Sequence, residues 1–100
     1  MTILNNLALN KIAEFIDEKL DSAVYVQTGS EFTTPFDVIV IDNNVTVRVY
    51  LDENVDGTIE GVRVYDDDSD LFIEQMHEFI KPSNRGFYKI FRISVRELIR

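Results

Sequence analysis

The sequence contains no cysteine among its 100 residues. Disulfide bridges and thiolate zinc sites are therefore excluded. No apolar run approaches the roughly 18–20 residues that a membrane-spanning helix needs. The N-terminus lacks a basic start and a small-residue cleavage site, so no signal peptide is expected. These absences lead us to expect a protein made and used in the cytosol, or built into an assembly there.

Residues typical of catalysis are also scarce. His77 is the single histidine, and none of the serines stands in a G-x-S-x-G nucleophile motif. A lone histidine in an apolar-rich segment is more often structural than catalytic. The four glycines form no phosphate-binding loop. We therefore expect a protein that is not an enzyme and that has no cofactor.

The charge of the chain is negative overall and unevenly distributed. The formal net charge is −8, which argues against direct binding to nucleic acid or to anionic membranes. Through Ile80 there are 17 acidic and four basic residues, whereas from Lys81 onward there are six basic residues and one acid, Glu97. Such asymmetry can guide head-to-tail association of identical subunits. Alternatively, the basic C-terminal strand pairs with acidic strands of its own subunit.

The N-terminal segment Leu4–Leu20 has the spacing of an amphipathic helix. Its apolar residues recur three and four positions apart, at Leu4, Leu7, Ala8, Ile12, Phe15, Ile16 and Leu20. Asn5 or Asn6 can cap the start of this helix. The sequence places Glu14, Asp17, Glu18 and Lys19 toward its outer face.

The rest of the chain alternates between strand patterns and turn signals. The predicted strands are Ala23–Thr28, Phe36–Ile41, Val45–Leu51, Thr58–Tyr65 and Phe87–Val95, the last one central or near-central in its sheet. The second and third form a hairpin around Asp42-Asn43-Asn44, and Glu31–Pro35 is expected to be a loop. Leu71–Ile80 fits a helix slightly better than a strand by periodicity, and both remain open.

These elements predict a single α+β domain over residues 1–100. The expected fold is an N-terminal helix packed on an antiparallel β-sheet, or on a small sandwich, of five to six strands.

Asp52–Gly57 is the one segment that resembles a metal-binding loop. It reads D-E-N-V-D-G, and Asp52, Asn54, Asp56 and Glu60 stand at positions of an EF-hand calcium loop. The twelfth position, which needs a bidentate glutamate, is Arg63. An ordinary Asp-Gly turn between two strands would explain the same sequence pattern without a metal ion. We therefore expect no metal site and keep these residues as a weak candidate.

A second acidic segment follows the strand that ends at Tyr65. Asp66, Asp67, Asp68 and Asp70 surround Ser69. The group could bind calcium or imitate a phosphate backbone, but we expect rather a solvated acidic turn that keeps a sheet edge from pairing.

Three segments of the chain form a recognisable set of motifs. Leu7–Ile16 reads L-A-L-N-K-I-A-E-F-I, Tyr25–Ser30 reads Y-V-Q-T-G-S, and Asp56–Asp66 reads D-G-T-I-E-G-V-R-V-Y-D. These motifs resemble those of small bacteriophage and prophage tail-associated proteins of the tail-fibre or baseplate type. The final part of the chain departs from the pattern at Lys81–Arg85. The resemblance implies that Leu71–Ile80 is a strand and carries no catalytic residues over.

The resemblance also implies a structural role. It predicts a virion protein, assembled in the host cytoplasm, that contacts other virion proteins and forms a homo-oligomer. In such an assembly we expect Arg92 and Arg96 to meet the acidic turn of a neighbour, at Asp66, Asp67, Asp68 and Asp70. The alternative is a small acidic inhibitor or nucleic-acid mimic that binds a host protein.

Overall fold

The computed structural model describes residues 6–96. Within this range the chain forms one helix and nine strands: α1 (Asn6–Lys19), β1 (Leu20–Gln27), β2 (Ser30–Thr34), β3 (Phe36–Ile41), β4 (Asn44–Leu51), β5 (Gly57–Ile59), β6 (Gly61–Asp66), β7 (Leu71–Gln75), β8 (Phe79–Lys81) and β9 (Phe87–Ser94). Leu4 and Asn5, predicted at the start of the helix, lie outside the described residues.

All strand pairs are antiparallel, and they form three sheets. The four-stranded sheet has the order β2-β1-β6-β7, the three-stranded sheet has the order β3-β4-β9, and β5 pairs with β8. The α+β fold class, with an N-terminal helix on antiparallel sheets, is therefore confirmed. The described residues form nine strands rather than the five or six expected, because Glu60 divides one predicted strand into β5 and β6 and because the segments Glu31–Pro35 and Leu71–Ile80 contribute β2, β7 and β8.

The core lies between the two larger sheets and beneath the helix. Val45, Val47, Val49 and Leu51 alternate along β4 and are fully buried, as their period-two spacing requires. The cluster continues through other buried residues, Ala13, Leu20, Ala23, Val62 and Val64. Burial of this apolar surface is the main force that holds the two sheets together.

The helix buries a narrower stripe than its apolar spacing predicts. Ala13 is fully buried, and Ile16 packs against the core cluster. Leu7 and Phe15 expose 62% and 56% of their surface, so the prediction that they face the core is wrong. The small side chain of Ala13 lets the helix approach the sheet along one line, which leaves the rest of the stripe in solvent.

Glu31–Pro35, expected to be a loop, contains strand β2. Thr28 and Gly29 both have positive φ, at 51° and 76°, and join β1 to β2 in a tight hairpin. The rings of Tyr25 and Phe32 stack across this hairpin with centroids 5.3 Å apart. Cross-strand contacts of this kind stabilise a strand that periodicity alone does not reveal.

Leu71–Ile80 forms strands rather than a helix. β7 pairs with β6, placing Ile73 opposite Val64 at the core, and β8 pairs with β5. One of the two structures left open for this segment, the strand that the resemblance implies, is therefore the one found. The prediction of a central or near-central C-terminal strand is wrong. Within the described part of the chain, β9 has β4 as its one partner and forms an edge of its sheet.

The molecule is elongated. Its principal extents are 53 × 24 × 24 Å, and its radius of gyration is 15.6 Å, against about 13 Å for a typical 100-residue domain. The accessible surface is 6710 Å², compared with roughly 5,800 Å² expected for a compact monomer of this mass. The long shape leaves much apolar surface in contact with solvent.

Candidate interaction surface

The side of the three-stranded sheet that faces away from the core is defined here as the outer face. It carries every second residue of the three strands, because side chains alternate along each of them. Its members are Asp37, Ile39, Ile41, Asn44, Thr46, Arg48, Tyr50, Tyr88, Ile90, Arg92 and Ser94.

Apolar side chains of the outer face are open to solvent. Ile41 exposes 65% of its surface, and Ile39, Tyr88 and Ile90 each expose at least 40%. Single exposed apolar residues are normal on protein surfaces. Several on one face of one sheet are characteristic of a surface that binds another molecule.

A shallow groove lies at one end of the outer face. Its volume is about 160 Å³, and it is lined by Pro35, Phe36, Asp37, Arg48, Tyr50 and Tyr88. Ligand pockets usually measure roughly 300–1,000 Å³. Because this groove is smaller and open, it is better suited to receiving one side chain of a partner than to enclosing a substrate.

Arg48 is held in one position within the groove. Its Nε lies 2.8 Å from Asp37 Oδ1, and its Nη2 lies 2.5 Å from Oδ2 of the same carboxylate. Tyr88 lies beneath the guanidinium at 5.1 Å, and its ring is 4.9 Å from that of Tyr50. The hydrogen bonds from Arg48 lower the pKa of Asp37, and Asp37 in turn raises the pKa of Arg48. The charges of Arg48 and Asp37 within the groove are therefore paired with each other.

A second charged cluster lies on the solvent side of the four-stranded sheet. Arg63 donates hydrogen bonds to Glu31 and Glu74, each at 2.8 Å, and thereby links β2 to β7 across the sheet. Tyr65 also donates to Glu31. The hydrogen bond from Tyr65 and the contact with Arg63 lower the pKa of Glu31, while Glu31 raises the pKa of Tyr65. Each polar side chain of this cluster has its hydrogen-bond partner within the cluster, so we interpret the cluster as structural.

The predicted contact residues Arg92 and Arg96 lie at the C-terminal end of β9. Arg92 is opposite Thr46 in the sheet. The ion pairs found within residues 6–96 use Lys19, Arg48 and Arg63 as their cations. The basic strand thus lies beside apolar β4, and neither arginine forms an ion pair with a described carboxylate.

The acidic turn Asp66–Asp70 is organised by its first residue. Asp66 Oδ1 accepts hydrogen bonds from the amides of Asp68 and Asp70, both at 2.9 Å. The carboxylates of Asp66, Asp68 and Asp70 have oxygen atoms within 4.8 Å of one another. Lys19 lies 3.5 Å from Asp67. These hydrogen bonds to main-chain amides are sufficient to explain an aspartate at position 66. The carboxylates of Asp67, Asp68 and Asp70 face solvent.

The candidate calcium-loop residues are turned toward different backbone partners. Asp52 Oδ1 accepts from the Asn54 amide at 2.9 Å, and Glu60 Oε1 accepts from the Gly29 amide at 2.7 Å. Asp56 contributes its main-chain oxygen to Gln27. In the described part of the chain, the acidic groups close enough to share a metal ion are those of the acidic turn, without Asp52, Asp56 or Glu60.

Sequence reasoning missed the outer face and the open edge of β9. The signal was present, since Tyr88 and Ile90 are apolar and alternate with Phe87, Phe91 and Ile93. A strand with apolar residues on both sides is usually covered on both sides. Here one side packs on the core and the other lies in solvent.

Comparisons with known proteins give no relative from which to infer a role. No helix among the described residues is long and apolar enough to cross a membrane. The chain matches no protein-family model, and it matches neither a curated protein nor a solved structure.

Proposed function

We propose that this protein is a structural component of a phage or prophage tail, in which it serves as an assembly or attachment module. It associates with copies of itself and with other virion proteins, in the virion and during assembly in the host cytoplasm. The proposal needs no catalytic residue, cofactor, nucleic acid or membrane.

One observation carries the proposal, namely the exposed apolar residues of the outer face. Ile39, Ile41, Tyr88 and Ile90 lie on one side of a regular sheet. A stable partner that covers this side recovers the free energy of burying them, at roughly 25 cal/mol per Å² before the costs of association. The motifs shared with tail-associated proteins support the same role.

Charge supports association between copies. Arg92 and Arg96 have no described acidic partner within the chain, and the acidic turn Asp66–Asp70 faces solvent with most of its charge uncompensated. Opposite charges on separate parts of one surface accelerate the encounter of two copies and orient them.

The nucleic-acid-mimic alternative requires carboxylates free to imitate phosphates. Glu31, Asp37 and Glu74 are bound to arginines of the same chain. These three carboxylates are therefore unavailable to a mimic, whereas most of those in the acidic turn remain free.

Sedimentation velocity and native mass spectrometry test self-association directly. We expect oligomers whose fraction increases with protein concentration, and we expect Ile90→Ser to reduce that fraction because it removes an exposed apolar side chain of the outer face. A chain that stays monomeric at high concentration, in both low and high salt, would contradict self-association. Mass spectrometry of virions purified from the producing host tests the location, and absence of the chain from them would contradict the tail assignment.

A further inference from the structure

Strand β9 is the longest regular open edge in the described part of the chain. Its eight residues pair with β4 in one unbroken register, from Phe87 opposite Leu51 to Ser94 opposite Asn44. The other edge of this sheet, β3, has six residues and lies against helix α1. The edges of the four-stranded sheet have five residues each, and β7 contains a register shift. Long, regular edges are the ones that pair with another chain.

The N–H and C=O groups of β9 that do not bind β4 can be identified from the hydrogen bonds between Val95, just after β9, and Asn43 in the β3–β4 turn. The amide of Val95 donates to the Asn43 oxygen at 2.8 Å, and the Asn43 side chain donates to the Val95 oxygen at 2.7 Å. Hydrogen-bonding direction alternates along an antiparallel strand. The N–H and C=O groups of Tyr88, Ile90 and Arg92 therefore point away from β4 and into solvent.

We propose that two copies of this chain pair through their β9 strands, antiparallel and around a twofold axis, with Ile90 opposite Ile90 of the second copy. This pairing rests on the proposed self-association and identifies the open edge of β9 as the surface through which the copies associate. It joins the two three-stranded sheets into one sheet of six strands. Twofold symmetry is the commonest arrangement of protein oligomers, and it uses the same surface on both subunits.

The charges of β9 select this register. With Ile90 at the centre, Arg92 lies opposite Tyr88 of the second copy, and Lys89 lies opposite its Phe91. Each cation then meets an aromatic ring, an attractive contact that this chain already makes between Lys89 and Phe79. Centring the pair on Lys89 or on Arg92 would instead place like charges directly opposite each other, which is destabilising.

Centring on Phe91 avoids like charges too, but it places Arg92 opposite Ile90 and Lys89 opposite Ile93. It therefore loses all the cation–ring contacts. Both registers align the strands along nearly their full length, and the Ile90-centred one alone keeps these contacts. It also places a second strand beside Ile90 and Tyr88, which are 44% and 48% exposed in the single chain.

Cysteine cross-linking tests directly which residues of the two β9 strands lie opposite each other. The natural chain has no cysteine, so each introduced thiol is the only one in its chain. Opposite residues in such a pair have Cβ atoms about 5 Å apart, so a thiol-specific cross-linker of about that span is used. We expect Ile90→Cys to form covalent dimers alone. Tyr88→Cys and Arg92→Cys should form few dimers alone and many when the two variants are mixed. Ile12→Cys, on helix α1 and outside the outer face, is the control and should form few.

A matched pair of lysine variants measures the strength of the contact. Ile90→Lys places two ammonium groups opposite each other and should raise the dimer dissociation constant about tenfold or more. Ile12→Lys makes the same change at a similarly exposed residue of helix α1, outside the outer face, and should leave the constant within about twofold. Circular dichroism confirms that both variants remain folded.

The outcomes separate the two proposals. If the natural chain associates but the cross-links follow another pattern, or if both lysine variants behave alike, the β9 pairing is wrong and self-association stands. Dimers between Ile90→Cys and Arg92→Cys in preference to Tyr88→Cys and Arg92→Cys would show the Phe91-centred register and overturn ours. If the natural chain is monomeric at every concentration, both proposals fail.

Discussion

The ammonium group of Lys81 is buried against the main-chain oxygen of Pro82, at 2.9 Å from Nζ, although Lys81 stands at the end of a three-residue strand. The side chain is 1% exposed and also donates to the main-chain oxygen of Arg85. Lys81 therefore closes the turn that leads into β9, with carbonyl groups as the partners of its charge.

Replacing Lys81 with methionine should destabilise the protein. Lys81→Met keeps the length of the side chain and removes its donors, so the carbonyls of Pro82 and Arg85 lose their partner. We expect a loss of about 1–3 kcal/mol in the free energy of unfolding, measured by urea denaturation. Lys11→Met, at an exposed helical position, is the control and should change stability by less than about 0.5 kcal/mol. Equal effects of both variants would contradict the role of Lys81.

Gly61 has no room for a side chain. A Cβ atom there would lie 2.6 Å from the Gln75 oxygen and 2.6 Å from Met76 Sδ. Gly61→Ala must therefore displace the backbone after β7, and we expect a loss of about 1–3 kcal/mol in stability, measured by thermal denaturation. At Gly29 no atom would lie within 4 Å of the new Cβ, but φ is +76°. Gly29→Ala should cost about 1–2 kcal/mol from backbone strain alone, without moving Met76. A structure of Gly61→Ala with Met76 unmoved would disagree with this account.

The stability of the Glu31 cluster should depend on acid pH. The pKa of Glu31 is lowered in the folded state from its usual 4.5 by Tyr65 and Arg63. The stabilising effect of the carboxylate is therefore fully present above pH 4.5 and is lost as the pH falls through the lowered pKa. We expect the natural chain to be more stable than Glu31→Gln at pH 7 and the difference to shrink toward pH 3. Urea denaturation of both chains at several pH values measures it, and a constant difference would argue against the linkage.

Calcium should leave the thermal stability of the protein unchanged. A ligand that binds only the folded state raises its stability in proportion to RT ln(1 + [L]/Kd). Glu60 is directed to the Gly29 amide rather than to Asp52, so the loop at Asp52–Gly57 lacks converged ligands. We expect no measurable change in Tm at millimolar calcium. A concentration-dependent increase that disappears in Asp52→Asn would restore the calcium loop, and one that disappears in Asp68→Asn would assign the ion to the acidic turn.

The β3–β4 hairpin could be predicted closely from the sequence. Phe36–Ile41 forms the strand over its predicted range, and the adjoining strand begins one residue early, at Asn44. Strict alternation of valines with polar residues and a strong Asp-Asn turn determine this structure locally. The buried side of β4 was predictable for the same reason.

Leu71–Ile80 could not be assigned from its own residues. Phe72, Ile73, Met76, Phe79 and Ile80 have helical spacing, yet the segment is divided between two strands that join different sheets. Pairing with β6 and β5 outweighs the local pattern, as tertiary contacts often do for short apolar segments. Phe72 and Met76 are exposed as a result.

The outer face and the open edge depend on the order of strands in the sheet. The sequence predicts that Phe87–Val95 is a strand but not that β4 is its one partner within the described residues. The Arg63 cluster likewise joins residues from β2, β6 and β7 that are up to 43 positions apart. Such arrangements require long-range pairing, which local periodicity does not contain.

The single residue between β2 and β3 connects the two large sheets. Pro35 has no N–H group, and its carbonyl accepts from the Tyr50 amide at 2.9 Å, so the chain passes from one sheet to the other without a loop. Tension applied to one sheet would therefore reach the other through the covalent backbone as well as through the shared core. In the tail assembly proposed above, this corner would act as a load-transmitting joint.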